Sequence, residues 1–298
     1  MIGVIFNPTA HGDRAEVFRK WLAGLGSSVT LFQTTEPGSA TELARGAIEE
    51  GCTTLVAAGG DGTVNEVLNG LVAAHEGLSH ARLAVLPLGT VNVFAKELGL
   101  PLKISAAWNV IQAGHERRID LPWVDWGGSH SRQRRYFVQM AGAGLDSRAL
   151  RRVDLNLKRQ TGVGAYLWAG LLSLKSPRPR VTVEAAGRRV TGEFVGIGNG
   201  RFYGGRFPVF PGAQLDNGHL EVTVAPRMNP LTLVRLLTAL WNDRLMDCAS
   251  AVCFRATEGS MTAEDGTPWH VEGELGGSLP ATFSLLPRGL RVVVPALG

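Results

Sequence analysis

Cysteine, aromatic residues and long apolar runs are scarce in this chain of 298 residues, and each scarcity excludes a class of protein. Cys52, Cys248 and Cys253 are too few and too irregularly spaced for a disulfide framework or a zinc site. Aromatic residues make up 7% of the chain, fewer than a nucleic-acid surface with stacking platforms needs, so no nucleic-acid partner is expected. No apolar run reaches the roughly 18 residues of a membrane-spanning helix, so only peripheral membrane contact is expected.

Familiar ATP-site motifs and export signals are also missing. The chain has no GxxxxGK[ST] loop and no protein-kinase motif set. Its first residues, MIGVIFNP, lack a basic region and a cleavage site, so we expect no signal peptide and a cytoplasmic location. The formal net charge of +4 is mildly basic and suits an anionic ligand or an anionic membrane surface.

The most informative stretch is TTLVAAGGDGTVNEVLNGL, residues 53–71. It predicts a buried strand, a glycine loop and a helix, because an unbroken apolar run precedes the glycines and apolar residues follow them at helical spacing. Thr63 and Glu66 have the spacing of a capping box, which predicts that the helix starts at Thr63. Free amides at a helix N-terminus favour phosphate binding. Asp61 would repel a phosphate there unless a divalent cation or a proton to be moved justified it, and a plain turn aspartate is the alternative.

Strands and helices alternate strictly over the first hundred residues. Strands are predicted at 2–6, 29–33, 53–58 and 83–86, with helices at 18–25, 40–48, 63–72 and 91–98. This alternation predicts a parallel sheet with helices on both faces. Ligands gather at the carboxyl ends of parallel strands, so we expect Asn7, Thr34, and the segments 59–63 and 89–92 to lie together.

The pattern changes near residue 119, beyond which strands predominate and predict an antiparallel, sandwich-like second domain. We therefore expect domains at 1–119 and 120–287, with a last strand at about 288–298 that can pack back on the first domain. Helices are predicted at about 147–174 and at 230–241, where Asn229 is the expected N-cap. The first of them is basic in one half and apolar in the other, which fits either a solvated face leading to a core helix or a lid that contacts anionic lipid.

Six segments carry a family resemblance, and they span the chain in order. They are NPTAHG (7–12), TTEPGSA (34–40), GGDGTVNEVLNGL (59–71), LPLGTVNVFAKELGLP (86–101), GNGRFYGGRFPVFPGAQLDNGHLEV (198–222) and VEGE (271–274). With them the chain resembles the bacterial lipid kinases of the diacylglycerol kinase and sphingosine kinase family, which are distantly related to NAD kinases. The resemblance implies an α/β ATP-binding domain, a C-terminal β-sandwich domain, and transfer of the γ-phosphoryl group of ATP to a lipid hydroxyl with Mg²⁺, at the inner membrane face.

The resemblance also implies roles for individual residues. It makes Glu274 the catalytic acidic residue, accompanied by Glu272 and Asp61, and it places Asp61 in the magnesium network. Together with the strand-end argument it gives a candidate nucleotide-binding set: Asn7, Thr34, Gly59, Gly60, Asp61, Gly62, Thr63, Asn65, Glu66, Gly89, Thr90 and Asn92. A second, structural magnesium ion is implied at Gln214, Asn217 and His219.

Three positions depart from the family pattern. Glu272 and Asn217 stand where aspartate is common, and Val93 replaces an aspartate that often follows the GTAN-like segment. Alternation predicts that Glu272 and Glu274 share one face of a strand. These departures keep open a nucleotide-binding regulatory module with impaired catalysis. An NAD kinase-like enzyme is a further alternative, although Asn65 and Glu66 close behind GGDGT, with the PLGTVN and VEGE segments, fit the lipid kinases better.

Overall fold

The computed structural model describes residues 1–8, 29–128, 131–152, 179–205, 207–229, 250–264 and 266–296, with a few single positions at 18–24 and 231–238. The chain forms two compact units. The first consists of Met1–Ile119 and Arg288–Gly298, and the second of Asp120–Pro287.

The first unit is built on a parallel sheet. Its strands, in spatial order, are β2 (Val29–Gln33), β1 (Ile2–Phe6), β3 (Thr54–Gly59) and β4 (Arg82–Pro87). All three pairings are parallel, and Val292, near the end of β16 (Ala281–Val293), pairs in parallel with Leu83. Every residue of β3 is buried, as expected of a strand covered on both faces. The predicted parallel α/β architecture is confirmed.

The helices of this unit differ from prediction at several places. They are α1 (Ser39–Glu49), α2 (Asp61–Ala73), α3 (Gly77–His80), α4 (Val93–Glu97) and α5 (Ile104–Ala113). Helix α2 begins at Asp61 and not at Thr63, and the Glu66 carboxylate binds the N–H groups of Gly38 and Ala40 instead of forming a capping box. Helix α5 was not predicted, although Ala107, Trp108 and Ile111 form the buried stripe that holds it against the core.

The second unit contains two antiparallel sheets. One has the order β12 (Val252–Ala256), β11 (Leu220–Ala225), β10 (Phe194–Gly198), β7 (Met140–Gly144), β14 (Pro268–Val271) and β15 (Glu274–Ser278). The other contains β16 up to Pro287, β13 (Glu258–Thr262), β8 (Val181–Ala185) and β9 (Arg188–Gly192), and the hairpin of β5 (Glu116–Trp126) and β6 (Gln133–Tyr136) belongs to it. Buried side chains from both sheets, among them Val183, Val195 and Phe283, form one core. The predicted mainly antiparallel second domain is confirmed.

Several predicted elements are shorter or lie elsewhere. The segment 190–196 belongs to two strands, because the chain leaves one sheet at Gly192 and enters the other at Phe194. Helix α6 (Leu145–Arg152) is the described part of the helix predicted at 147–174, and the rest lies outside the described residues, as does most of 9–28 and 230–241. Asn229 accepts the Thr232 N–H at 2.8 Å, which confirms its capping contact. Within the described ranges, no helix has the length and apolar character that crossing a bilayer requires.

Candidate functional site

The glycine loop follows β3 at the carboxyl edge of the parallel sheet. Strands β1 and β4 flank β3, so the residues that follow all three lie at this edge. The Asn7 N–H donates to Ala58 O at 3.1 Å, and its side-chain amide donates to Thr63 Oγ1 at 3.3 Å. The Thr34 N–H donates to Phe6 O at 2.9 Å. Backbone hydrogen bonds therefore hold Asn7 and Thr34 at the strand ends.

Two loops touch backbone to backbone at Gly60 and Gly89. A Cβ on Gly89 would collide with Gly60 Cα and lie 2.8 Å from Asn92 Oδ1. A Cβ on Gly60 would lie 3.3 Å from Gly89 Cα. Contacts this short leave no room for a side chain at Gly89, so the glycines let the loops pack against each other.

Asp61 caps a neighbouring helix. Its Oδ2 accepts the Val93 N–H and its Oδ1 accepts the Phe94 N–H, both at 3.1 Å, at the start of α4. Burial raises the pKa of Asp61 above its usual value, and the two N–H groups and Lys96 oppose that rise only in part. The carboxylate thus has protein partners even before a cation is considered, and it ties the two loops together.

Glu66 plays the same part for α1. Its Oε1 accepts the Gly38 N–H at 3.0 Å and its Oε2 accepts the Ala40 N–H at 3.1 Å. Thr41 Oγ1 donates to the Glu66 backbone carbonyl at 3.2 Å. Both carboxylate oxygens therefore hold the N-terminus of α1, which departs from the capping box expected from sequence. The nucleotide contact of Glu66 stays a prediction.

Two further candidate residues, Asn92 and Asn65, lie buried within the protein. Asn92, with φ of 51°, closes its own loop, since Oδ1 accepts the Gly89 N–H at 2.9 Å and Nδ2 donates to Gly89 O at 2.7 Å. Asn65 is 0% exposed inside α2. By contrast, Thr90 is exposed, and Asn7, Gly60 and Gly62 are half-buried. The predicted set therefore divides into residues that shape the loops and residues that face solvent.

The loop has the chemistry that phosphates require. The first N–H groups of an α-helix have no partner inside the helix and carry the positive end of its dipole. At α2 these groups belong to the half-buried segment Gly60–Gly62. ATP phosphates fit such a site. Among the described residues, no group of three or more His, Cys, Asp or Glu side chains is arranged to hold a metal. Mg²⁺ is typically bound by one or two carboxylates plus substrate phosphates, and Asp61 provides one carboxylate beside this loop.

The two predicted catalytic glutamates lie at a hairpin in the second unit. Glu272 and Gly273, with φ of 52° and 76°, form the turn between β14 and β15. Val271 pairs with Glu274 across that turn. The prediction that both glutamates share one face of a continuous strand is wrong, because the chain reverses direction between them.

The two carboxylates have different surroundings. Glu272 Oε1 accepts the N–H groups of Val138 and Gln139 at 2.9 and 2.8 Å. Glu274 Oε2 accepts from Arg135 Nη2 at 2.6 Å, and the Glu274 side chain is 40% exposed. Sequence reasoning did not find Arg135, because nothing local distinguishes it from the other arginines nearby.

The loop predicted to hold a structural magnesium ion is closed by its own hydrogen bonds. Asn217 Oδ1 accepts the His219 N–H at 3.0 Å, and His219 Nδ1 lies 2.9 Å from Asn217 O. The Gly218 N–H donates to Asp120 Oδ2 at 2.7 Å. Gln214 is exposed. The assignment of Gln214, Asn217 and His219 as metal ligands stays a prediction.

Comparison with known proteins covers both units. The model of the diacylglycerol kinase catalytic domain matches residues 1–124, and that of the YegS C-terminal NAD kinase beta sandwich-like domain matches residues 139–294. A diacylglycerol kinase of Bacillus subtilis is 31% identical over 98% of this chain and 95% of the relative. The chain belongs to the diacylglycerol kinase family. The resemblance seen in the sequence is thereby confirmed.

One further sequence relative and two solved structures are also similar to this chain. A diacylglycerol kinase of Staphylococcus carnosus is 29% identical over 98% of this chain and 94% of the relative. A crystal structure of a Bacillus anthracis protein assigned as a diacylglycerol kinase has a TM-score of 0.81 at 23% identity, covering 98% of this chain and 94% of that one. Yeast NADH kinase complexed with NADH has a TM-score of 0.56 at 10% identity, covering 100% of this chain and 84% of that one. These structural likenesses concern the fold alone.

Proposed function

We propose that this protein transfers the γ-phosphoryl group of ATP to the hydroxyl of a diacylglycerol-like or sphingoid-like lipid. The observation that carries the proposal is the half-buried glycine loop at the N-terminus of α2, in a chain whose family members are named diacylglycerol kinases. Phosphoryl transfer requires positioning of the nucleotide, neutralisation of charge and a base near the attacking hydroxyl. The described residues supply candidates for each task.

The first unit would hold the nucleotide. The amides of Gly60–Gly62 bind phosphate oxygens, and the exposed Thr90 and half-buried Asn7 contact the rest of the nucleotide. Asp61 would hold Mg²⁺, which when bound neutralises the charge of the phosphates. Glu66 and Asn92 act indirectly, because their side chains fix the neighbouring segments.

Glu274 is the better candidate for the base. Its side chain is 40% exposed and its Oε2 pairs with Arg135, whereas an oxygen of Glu272 is held by two backbone N–H groups. As the acceptor oxygen bonds to the γ-phosphorus and the bridging oxygen leaves with ADP, the hydroxyl proton passes to the Glu274 carboxylate. Glu272 fixes the turn that presents Glu274.

An acceptor panel tests this function. Purified protein with ATP and Mg²⁺ is offered diacylglycerol, sphingoid bases, phosphatidylglycerol and NAD, and both ADP and phosphorylated product are measured. Phospholipid formed in step with ADP is the expected result. NADP formed without phospholipid would replace the proposal with an NAD kinase-like activity. ATP binding by calorimetry without any product would favour the regulatory module.

A further inference from the structure

A single contact holds the side chain of Glu274. Glu274 is the first residue of β15, the outermost strand of its sheet, and its side chain is 40% exposed. Oε2 accepts from Arg135 Nη2 at 2.6 Å, and within the described part of the chain Oε1 has no hydrogen-bond partner. An exposed glutamate without any partner would exchange among several rotamers. Arg135 is therefore the residue that restricts where the Glu274 carboxylate lies.

Arg135 and Glu274 meet at the rim of the core of the second unit. Arg135 lies opposite Val124 in the β5–β6 pairing, and Glu274 lies opposite Val271 in the β14–β15 pairing. Both valines are fully buried in the core between the two sheets, and directly opposed residues face the same side of a sheet. The two charged side chains thus lie on the core side of different sheets and join at its edge. The Arg135 side chain is only 22% exposed, so its guanidinium has less freedom than that of a surface arginine.

The stretch of chain that carries Arg135 also fixes the turn before Glu274. Glu272 Oε1 accepts the N–H groups of Val138 and Gln139 at 2.9 and 2.8 Å. These two amides follow Arg135 by three and four residues in the sequence. One short segment therefore holds both the turn and the carboxylate that follows it, so the base is fixed at its backbone and at its side chain.

The chemistry of this contact suits a general base. A guanidinium stays charged in proteins and has no acceptor, so Arg135 cannot take the proton itself. A charge-assisted hydrogen bond is roughly twice as strong as a neutral one, so a bond to one carboxylate oxygen can fix the group while the other oxygen stays open. Such fixing matters because a misplacement of about 1 Å can cost about 100-fold in rate.

We propose that Arg135 is the positioning residue of the base, which holds Glu274 through Oε2 and leaves Oε1 to take the proton of the acceptor hydroxyl. The inference rests on the proposed lipid kinase function and deepens it. The O–H bond of the acceptor breaks as its oxygen bonds to the γ-phosphorus, and the proton goes to Oε1 while the bond between Oε2 and Arg135 persists. Arg135 acts through Glu274 and touches neither substrate.

Steady-state kinetics with dioleoylglycerol and with sphingosine in detergent micelles test the role. Arg135→Ala should lower kcat about 10- to 100-fold and leave the KM values within about threefold, because the groups that bind substrates are unchanged. Arg135→Lys keeps a cationic donor, should lose less, and carries the test if Arg135→Ala does not fold. The matched control Arg189→Ala breaks an exposed pair with Glu184 at 2.7 Å and should keep kcat within about twofold. Wild-type kcat in folded Arg135→Ala would overturn the inference and leave the kinase function standing, whereas a wild type that phosphorylates neither lipid would contradict both.

A double variant separates positioning of the base from a merely structural role. Glu274→Gln has no carboxylate to position, so adding Arg135→Ala to it should change kcat by less than about threefold. Losses that multiply in the double variant would contradict the inference. Guanidinium chloride at about 1–10 mM should restore part of the kcat of Arg135→Ala, because the free cation can pair with Glu274 Oε2, and should restore none in the double variant. Equal recovery in both variants, or none in Arg135→Ala, would also contradict the inference.

Discussion

Substitution of Glu66 tests whether its side chain contacts the nucleotide or positions the residues that do. Its two carboxylate oxygens accept the N–H groups of Gly38 and Ala40 at 3.0 and 3.1 Å, where α1 begins. The Glu66→Ala change leaves both N–H groups without this acceptor, that of Gly38 at an exposed residue and that of Ala40 at a buried one. The loss of this cap costs about 2 kcal/mol, which lowers the melting temperature by roughly 4–8 °C.

The kinetic consequence follows from what α1 carries. The segment before it contains Thr34, one of the candidate nucleotide residues, so a loosened helix start weakens ATP binding. We expect Glu66→Ala to raise the KM for ATP by about 3- to 10-fold and to leave kcat within about threefold. Glu66→Gln keeps one acceptor oxygen and should lie between wild type and Glu66→Ala in both melting temperature and KM.

A matched control lies on α1 itself. Glu42 is exposed and pairs only with Arg45 at the surface in the described contacts, so Glu42→Ala should change stability by less than about 0.5 kcal/mol. Calorimetry and steady-state kinetics on the three variants check the prediction. A large loss of kcat in Glu66→Ala without any fall in melting temperature would refute the positioning role and place Glu66 in contact with the nucleotide.

Three other predictions concern the two hairpins and the loop contact. Glu274→Gln should lower kcat by about 10²- to 10⁴-fold. Glu272→Gln keeps an acceptor for the N–H groups of Val138 and Gln139, so its kcat should fall by less than about tenfold. Initial rates of both variants check this ranking, and the reverse ranking would contradict the assignment of Glu274 as the base. Gly89→Ala forces a methyl group against Gly60 and should lower activity about 100-fold. The control Gly46→Ala has no atom within 4 Å of its added methyl group, so its stability should be unchanged or higher by about 0.5–1 kcal/mol. Equal activities of the two variants would refute the loop contact. Burial alone would raise the pKa of Asp125, but hydrogen bonds from Arg134 and Arg132 outweigh it and hold that pKa below its usual value. A carboxylate of this kind stabilises the fold above its unfolded pKa of about 4 and loses that contribution as the pH falls through its lower folded pKa. The penalty of Asp125→Asn in urea titrations should therefore be full at pH 7 and shrink below about pH 4, and a penalty independent of pH would contradict the pairing.

Local patterns predicted the architecture because burial leaves periodic traces in sequence. The apolar run of β3 and the helical stripe of α2 were visible as such, and the parallel sheet followed from their alternation. Helix α5 was not predicted, although its stripe of Ala107, Trp108 and Ile111 has the same helical spacing. The sequence therefore contained the signal for this helix.

Partners remote in sequence could not be predicted. Asp61 accepts hydrogen bonds from backbone amides 32 and 33 residues away, and Glu66 from backbone amides 26 and 28 residues away. From the sequence alone, a capping box was the local interaction expected of Glu66. The turn at Glu272 and Gly273 was missed for a related reason. The VEGE segment alternates as a strand would, and only pairing of β14 with β15 makes its middle a turn.

The position of the phosphate label shows which phosphate of ATP reaches the lipid. Protein is incubated with Mg²⁺ and mixed micelles of acylglycerols, once with ATP labelled in the γ-phosphate and once with ATP labelled in the α-phosphate. Labelled phospholipid should form from γ-labelled ATP alone, and Glu274→Gln should slow its formation by about 10²- to 10⁴-fold while ATP still binds. No labelled lipid from either nucleotide, with ATP bound and the protein folded, would contradict the lipid kinase function.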